Sequence, residues 1–178
     1  MRDWRVQHGQ VIAAFAKYLN EKTDNFVLKG GTALYLCYNL DRFSEDIDLD
    51  GREKGLTAVV ESFCAEKGYS CRVAKNTAMV ERCFINYGSS ENPLKIEASY
   101  RRLEIPAEET AEINGISVYR IDPLCGQKQA HTPGATKSVI CMIWRLSATI
   151  ILTVFRPQRC PYYAARWSTK ASSSLTTL

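Results

Sequence analysis

Apolar residues recur at helical spacing over 7–20, where Val11, Phe15, Tyr18 and Leu19 fall on one face and predict an amphipathic helix. Asn25-Phe26-Val27-Leu28 predicts a short strand that runs into Gly30-Gly31. Thr32 to Leu40 reads as a second helix with Leu34, Leu36 and Leu40 among its apolar positions, and Asp46 to Asp50 as a second strand. Thr57 to Lys67 is helical in pattern, with Val60, Phe63 and Cys64 inward and Gly68 suited to a C-terminal cap. Beyond it, Tyr69–Lys75 and Ala78–Tyr87 predict two antiparallel strands around Asn76-Thr77. Pro93–Arg101 and Ile116–Ile121 predict two more, and Asp122-Pro123 opens a further helix, since proline suits a first helical turn. The sum is a mixed α/β (α+β) domain with helices on a twisted sheet. Periodicity leaves the strand order open.

The second strand carries the chemistry. Side chains along a strand alternate faces, so Asp46, Asp48 and Asp50 share one face while Ile47 and Leu49 share the other. Two carboxylates about 7 Å apart along a strand repel each other, and divalent cations relieve that repulsion. Hard cations such as Mg²⁺ take oxygen ligands and fill their remaining positions with water and substrate phosphates. Two-metal sites of this kind assist in-line phosphoryl displacement. A third carboxylate is offered by Leu94-Lys95-Ile96-Glu97-Ala98-Ser99, where alternation turns Glu97 away from the core. Upstream, Gly30-Gly31 presents backbone N–H groups with no Cβ in the way, and the helix from Thr32 adds its positive end, both favourable to a triphosphate. Thr32 can cap that helix or touch phosphate. Arg42 and Ser44 stand just before the aspartates, within reach of phosphates or base.

Each feature has an ordinary reading when taken alone. A Gly-Gly before a helix is usually a turn, an Asp-x-Asp usually a solvated strand face, Arg42 can simply pair with Glu45, and an isolated Glu97 is an exposed strand residue. The order is what is specific: Gly-Gly, helix, Arg-Phe-Ser-Glu-Asp-Ile-Asp-Leu over 42–49, then a later alternating strand bearing Glu97. Residues 28–49 resemble the AbiEii/AbiGii nucleotidyltransferase toxins, a branch of the polymerase-β-like nucleotidyltransferase superfamily, and the resemblance thins but continues to about residue 128.

That resemblance implies a minimal nucleotidyltransferase fold. It also implies transfer of a nucleotidyl group from an NTP to an acceptor, with Asp46, Asp48 and Glu97 as catalytic carboxylates holding two Mg²⁺ ions. Gly30, Gly31 and Thr32 would cradle phosphate, supported by Arg42, Ser44 and Lys128, the last matching the family's phosphate-contacting lysine. It further implies the toxin half of a toxin–antitoxin pair in abortive phage defence, an antitoxin encoded nearby that need not bind the toxin, and tRNA as one acceptor among relatives. Asp50 has no counterpart role in the family. Two other readings stand beside it: a truncated, inactive remnant that binds nucleotide and metal, and a small-molecule nucleotidyltransferase of the aminoglycoside-modifying type.

The family pattern stops after Asp122-Pro123-Leu124-Cys125-Gly126-Gln127-Lys128. Relatives continue with a motif like Arg-Asp-x-x-Asp-Leu; this chain continues Thr-Pro-Gly-Ala-Thr-Lys-Ser-Val-Ile-Cys-Met-Ile-Trp from Thr132. Back-translated and read one base earlier, these codons permit Tyr/His-Thr-Gly-Arg-Asp-Lys-Ile-Arg-Asp-Leu-Tyr-Asp-Leu. Degeneracy leaves choices, but Met142 followed by any isoleucine codon forces an aspartate. Residues 1–128 are therefore expected to form the nucleotidyltransferase domain, and 129–178 a poorly ordered, out-of-frame tail. The Arg-, Ser-, Thr- and Pro-rich end from Arg156 agrees. Val139–Phe155 is apolar, but it is shorter than the ~20 residues of a membrane span and Arg145 interrupts it. An aggregation-prone segment is the better expectation.

Composition changes this picture little. The 178 residues suffice for one domain with a core, or for one domain and a small appendage, and the net charge of +4 permits a polyanionic partner without requiring one. The seven cysteines are odd in number and contain no Cys-x-x-Cys pair, and there are two histidines. Zinc and a disulfide framework are both disfavoured, and reduced thiols in a cytoplasm fit best. The N-terminal segment is amphipathic and does not read as a secretory signal.

Overall fold

A computed structural model describes residues 4–39, 43–88, 92–102 and 104–124. Helix α1 spans Trp4–Lys22, strand β1 Phe26–Lys29, α2 Gly30–Cys37, β2 Asp46–Gly51, α3 Leu56–Lys67, β3 Ser70–Asn76, β4 Val80–Asn86, β5 Leu94–Ser99, β6 Thr110–Ile113 and β7 Ile116–Tyr119. Every predicted element is present within a few residues of its expected limits. Strand β6 is an addition that alternation did not mark: Thr-Ala-Glu-Ile is short and only half-buried. Its partner β7 creates it by pairing across the Asn114-Gly115 turn, where both residues take positive φ. Residues 121–124 are helical, as the Asp122-Pro123 step predicts, and the helix starts at Ile121.

The strands form one mixed sheet in the order β3-β4-β5-β2-β1-β7-β6. The catalytic candidates lie on its centre, because β2 pairs antiparallel with β1 and parallel with β5. Ile47 and Leu49 of β2, Ile96 and Ala98 of β5 and Leu28 of β1 are all essentially inaccessible to solvent and form the apolar face. Helices α1 and α3 close this layer: Phe63 meets Phe15 and Tyr18 edge-on at 5.2 Å. Each such large side chain contributes roughly 1.5–3 kcal/mol on burial. Gly68 ends α3 in the left-handed conformation, with φ 68°, and Tyr69 N–H returns to the Cys64 carbonyl at 2.9 Å.

The start of α3 solves a buried-donor problem. Gly55 offers no side-chain cap, so the helix's free N–H groups need an acceptor from elsewhere. Glu81 of β4 supplies it, accepting from Leu56 N at 2.9 Å, Gly55 N at 3.3 Å and Thr57 Oγ1 at 3.3 Å, with the Tyr100 hydroxyl donating to the same carboxylate. The described cysteines, Cys37, Cys64, Cys71 and Cys83, are free thiols. No helix among the described residues is long and apolar enough to cross a membrane.

Candidate active site

Strand register assembles the carboxylates. In the parallel β2–β5 pair Asp46 lies opposite Lys95, Asp48 opposite Glu97 and Asp50 opposite Ser99. Paired residues share a face, so Asp46, Asp48 and Glu97 stand together opposite the helix-packed face, as alternation predicts. Neighbouring strands are about 4.8 Å apart, which makes Asp48 and Glu97 direct neighbours.

Gly30 fits this arrangement for two reasons. Its φ of +75° is a left-handed conformation that disfavours side chains, and a Cβ there would stand 2.9 Å from Asp48 Oδ2. The start of α2 is thereby pressed against the carboxylate. A Cβ on Gly31 would lie 3.0 Å from Ser44 Oγ. Both glycines are the first residues of α2 itself, not a loop before it, and Lys29 is the N-cap residue. Thr32 accordingly does not cap the helix. It is buried, and its hydroxyl reaches Ser44 Oγ at 2.8 Å and donates to the Asp46 carbonyl. This ties the start of α2 to the segment leading into β2.

The same segment is held from the other side by α1. Buried His8 donates from Nε2 to the Glu45 carbonyl at 2.8 Å, and its Nδ1 meets the Tyr87 hydroxyl, which also reaches the Asn92 carbonyl at 3.1 Å. Phe43 packs edge-on against Trp4, His8 and Tyr35. Glu45 and Asp46 thus have both of their carbonyls fixed. Nothing in the periodicity of α1 marked His8, since a histidine on a helix's buried face reads as core.

The cations of the site escaped the sequence reading. Lys95 Nζ lies 2.5 Å from Asp46 Oδ2, Arg82 Nε 2.6 Å from Glu97 Oε2, and Lys29 Nζ 2.5 Å from Asp50 Oδ1. Asp50, which has no family role, is 5% exposed and also accepts from the Tyr119 hydroxyl at 2.9 Å. Its place is structural, and burial together with the Asp50 charge pushes the Tyr119 phenol up. Asp48 differs. Burial raises its pKa, Lys95 and Lys29 oppose the rise, and the Asp46 and Glu97 charges add to it. Among the described residues no hydrogen-bond donor reaches its carboxylate.

Among the described residues no group of three or more His, Cys, Asp or Glu side chains is close enough together to hold a metal ion by itself. The donor set is nonetheless all carboxylate, lies on one face, and includes Asp48, whose carboxylate receives no hydrogen bond from the described residues. That suits a hard cation bound by one or two carboxylates and completed by substrate phosphates. Arg42 and Lys128 lie outside the described residues, as do the apolar 139–155 segment and the rest of the tail.

Two solved structures resemble this fold and have 31% sequence identity with the chain. JHP933 from Helicobacter pylori aligns with a TM-score of 0.63 over 74% of this chain. An H. pylori protein assigned as a nucleotidyltransferase aligns with a TM-score of 0.61 over 72%. In each case the chain spans 59% of the relative's length. No curated protein matches the chain. The model of the AbiEii nucleotidyl transferase toxin family, of type IV toxin–antitoxin systems, matches residues 15–121, and the chain belongs to that family.

Proposed function

We propose that this chain transfers a nucleotidyl group from an NTP to a hydroxyl of an RNA acceptor, tRNA among the candidates, as the toxin of a toxin–antitoxin system acting in abortive phage defence. The observation that carries the proposal is the register that sets Asp48 against both Glu97 and the start of α2 at Gly30. Asp46, Asp48 and Glu97 would hold Mg²⁺, which when bound would neutralise phosphate charge and polarise the reacting oxygens. Gly30 and Gly31 would lend N–H groups to the triphosphate. Thr32 and Ser44 would act mainly by fixing the approach to β2, since their hydroxyls already bond to each other. Arg42 and Lys128 remain proposed phosphate contacts. The cytoplasm, where NTP and tRNA are found, is the proposed compartment, and the family's type implies an antitoxin encoded nearby.

A second reading is favoured by the loss of the family pattern after Lys128: residues 1–128 form the transferase domain, 129–178 are read out of frame, and the chain is an inactive remnant. The gene sequence tests the frame directly. If no single-base change restores Arg-Asp-x-x-Asp-Leu, the frameshift is rejected. Activity is tested with each α-labelled NTP, Mg²⁺ and total RNA, comparing this chain, Asp46→Ala and a frame-restored form. Label on RNA with this chain and not with Asp46→Ala establishes the transferase. Label with the restored form alone makes this chain a remnant. No label from either refutes RNA transfer.

A further inference from the structure

The carboxylate-bearing face does not end at β5. On β4, Arg82 lies opposite Glu97 and Phe84 opposite Lys95. On β3, Arg72 lies opposite Phe84 and Lys75 opposite Arg82. Lys75 belongs to this face only because of a bulge between Val73 and Lys75. Uninterrupted alternation from Arg72 would send Lys75 to the helix-covered side with Val73, and the extra residue turns it back. The surface is open: all but one residue of β3 is exposed, and Arg82 and Phe84 are half-exposed, while Cys83 and Ile85 between and beyond them are buried on the opposite side. The Arg72 guanidinium lies over the Phe84 ring, 4.8 Å from its centroid. These two strands give the face three cations and no carboxylate. Their one acid, Glu81, is buried on the other side under α3.

We propose that this β3–β4 face docks the single-stranded end of a nucleic-acid acceptor, with Phe84 stacking a base and Arg72 and Lys75 following the phosphates toward Asp48 and Glu97. The inference rests on the nucleotidyl-transfer reading and places its acceptor. A cationic track joined to an aromatic platform is what sequence-tolerant binding of single strands requires. An arginine laid on an aromatic ring offers a second flat surface for stacking. The two strands lie about 10 and 14 Å from β2, so the platform adjoins the carboxylates. Charge selects the partner: a polycationic small-molecule acceptor is repelled by this surface, and a polyanion is attracted.

The test is fluorescence anisotropy of the full chain with a labelled single-stranded RNA over a range of salt. Phe84→Ala is expected to weaken binding by on the order of 10-fold. Arg72→Ser/Lys75→Ser is expected to weaken it and to reduce the salt slope by about 1.4, at ~0.7 per phosphate contact. Lys17→Ser, which removes an exposed cation of α1, should change nothing. RNA binding that survives both the Phe84 and the Arg72/Lys75 substitutions overturns the proposal, as does absence of RNA binding by the unaltered chain. Equal competition by polyglutamate or anionic vesicles replaces the nucleic acid with a generic acidic partner and also overturns it. Asp46→Asn should keep RNA binding while losing transfer. Surface-dependent RNA binding by a chain that transfers nothing would therefore fail the parent reading and leave the docking surface standing.

Discussion

Glu81 and Asp48 are carboxylates of the same sheet with opposite fates. Glu81 is 3% exposed, and burial pushes its pKa up, yet the Tyr100 hydroxyl, the Gly55 and Leu56 N–H groups and the Lys54 charge bring it below the ordinary value. Asp48 is less deeply buried, and its pKa is raised. The difference lies in what surrounds each oxygen. Neutral donors, two backbone N–H groups and the Tyr100 and Thr57 hydroxyls, satisfy Glu81, and the Lys54 charge adds a smaller contribution. Asp48 has the like charges of Asp46 and Glu97 beside it, offset only by the ammonium groups of Lys95 and Lys29, which are paired with Asp46 and Asp50. A carboxylate whose hydrogen bonds the fold supplies is structural, and one left short is open to a ligand.

Neutralising Asp48 separates the two carboxylates most directly. Asp48→Asn should reduce nucleotidyl transfer by at least about 10³-fold, since a metal ligand contributes several kcal/mol to the developing charge. The same substitution should raise the melting temperature of the metal-free protein. A carboxylate whose folded pKa lies above its unfolded value weakens the fold at neutral pH. That penalty is present in full above the folded pKa, fades as pH falls through it, and is gone below the unfolded one. Differential scanning fluorimetry without divalent ions checks it. A lower melting temperature would mean that Asp48 holds the fold together, and the contrast with Glu81 would collapse.

Glu81→Gln should do the reverse. Loss of the charge that caps α3 is expected to remove about 2–3 kcal/mol of stability, because buried donors lose a charged acceptor. Transfer by the folded fraction should be nearly unaffected. Because the folded pKa is depressed, the stabilisation is complete above the unfolded glutamate value of about 4.3 and is lost as pH falls through the folded one. Urea unfolding of both forms at neutral and acid pH should show their difference shrinking below that point. A difference independent of pH would assign the effect to shape instead of charge.

These two settings also mark what the chain's wording could reveal. Alternation alone put Asp46, Asp48 and Glu97 on one face, because a strand's period fixes sidedness whatever its neighbours are. Which strands adjoin is a long-range fact, so the Asp48–Glu97 and Asp46–Lys95 registers had to come from the structure. Lys95 was visible as an alternating polar residue and silent as a partner. Glu81 gave no signal, since an acid beside Val80 in a strand reads as solvent-facing. The bulge before Lys75 reversed a face in a way that no periodicity records. Thr32 misled for the opposite reason: it looks like a cap, but the helix begins two residues earlier at Gly30 because glycine tolerates the left-handed turn.

If Asp48 is available to a ligand, the cations around it should be exchangeable. Lys95 and Asp46 form a partly exposed pair, with side chains 30% and 43% accessible, and such pairs contribute at most about 1 kcal/mol. A divalent ion arriving at Asp46 would have to displace the ammonium. Lys95→Met should therefore tighten Mn²⁺ binding to the nucleotide-free protein by about 3- to 5-fold at low salt, the equivalent of that pair energy. Lys95→Arg, which keeps the charge, should leave the affinity near its original value. The difference should narrow as salt screens the pair. Electron paramagnetic resonance of free Mn²⁺ reads the affinity without reference to turnover, and Asp46→Asn serves as the zero. Unchanged or weaker binding in Lys95→Met would mean that the ammonium positions Asp46 for the metal instead of competing with it. Lys95 would then resemble the fixed donors around Glu81, and the division between a satisfied and an available carboxylate would rest on Asp48 alone.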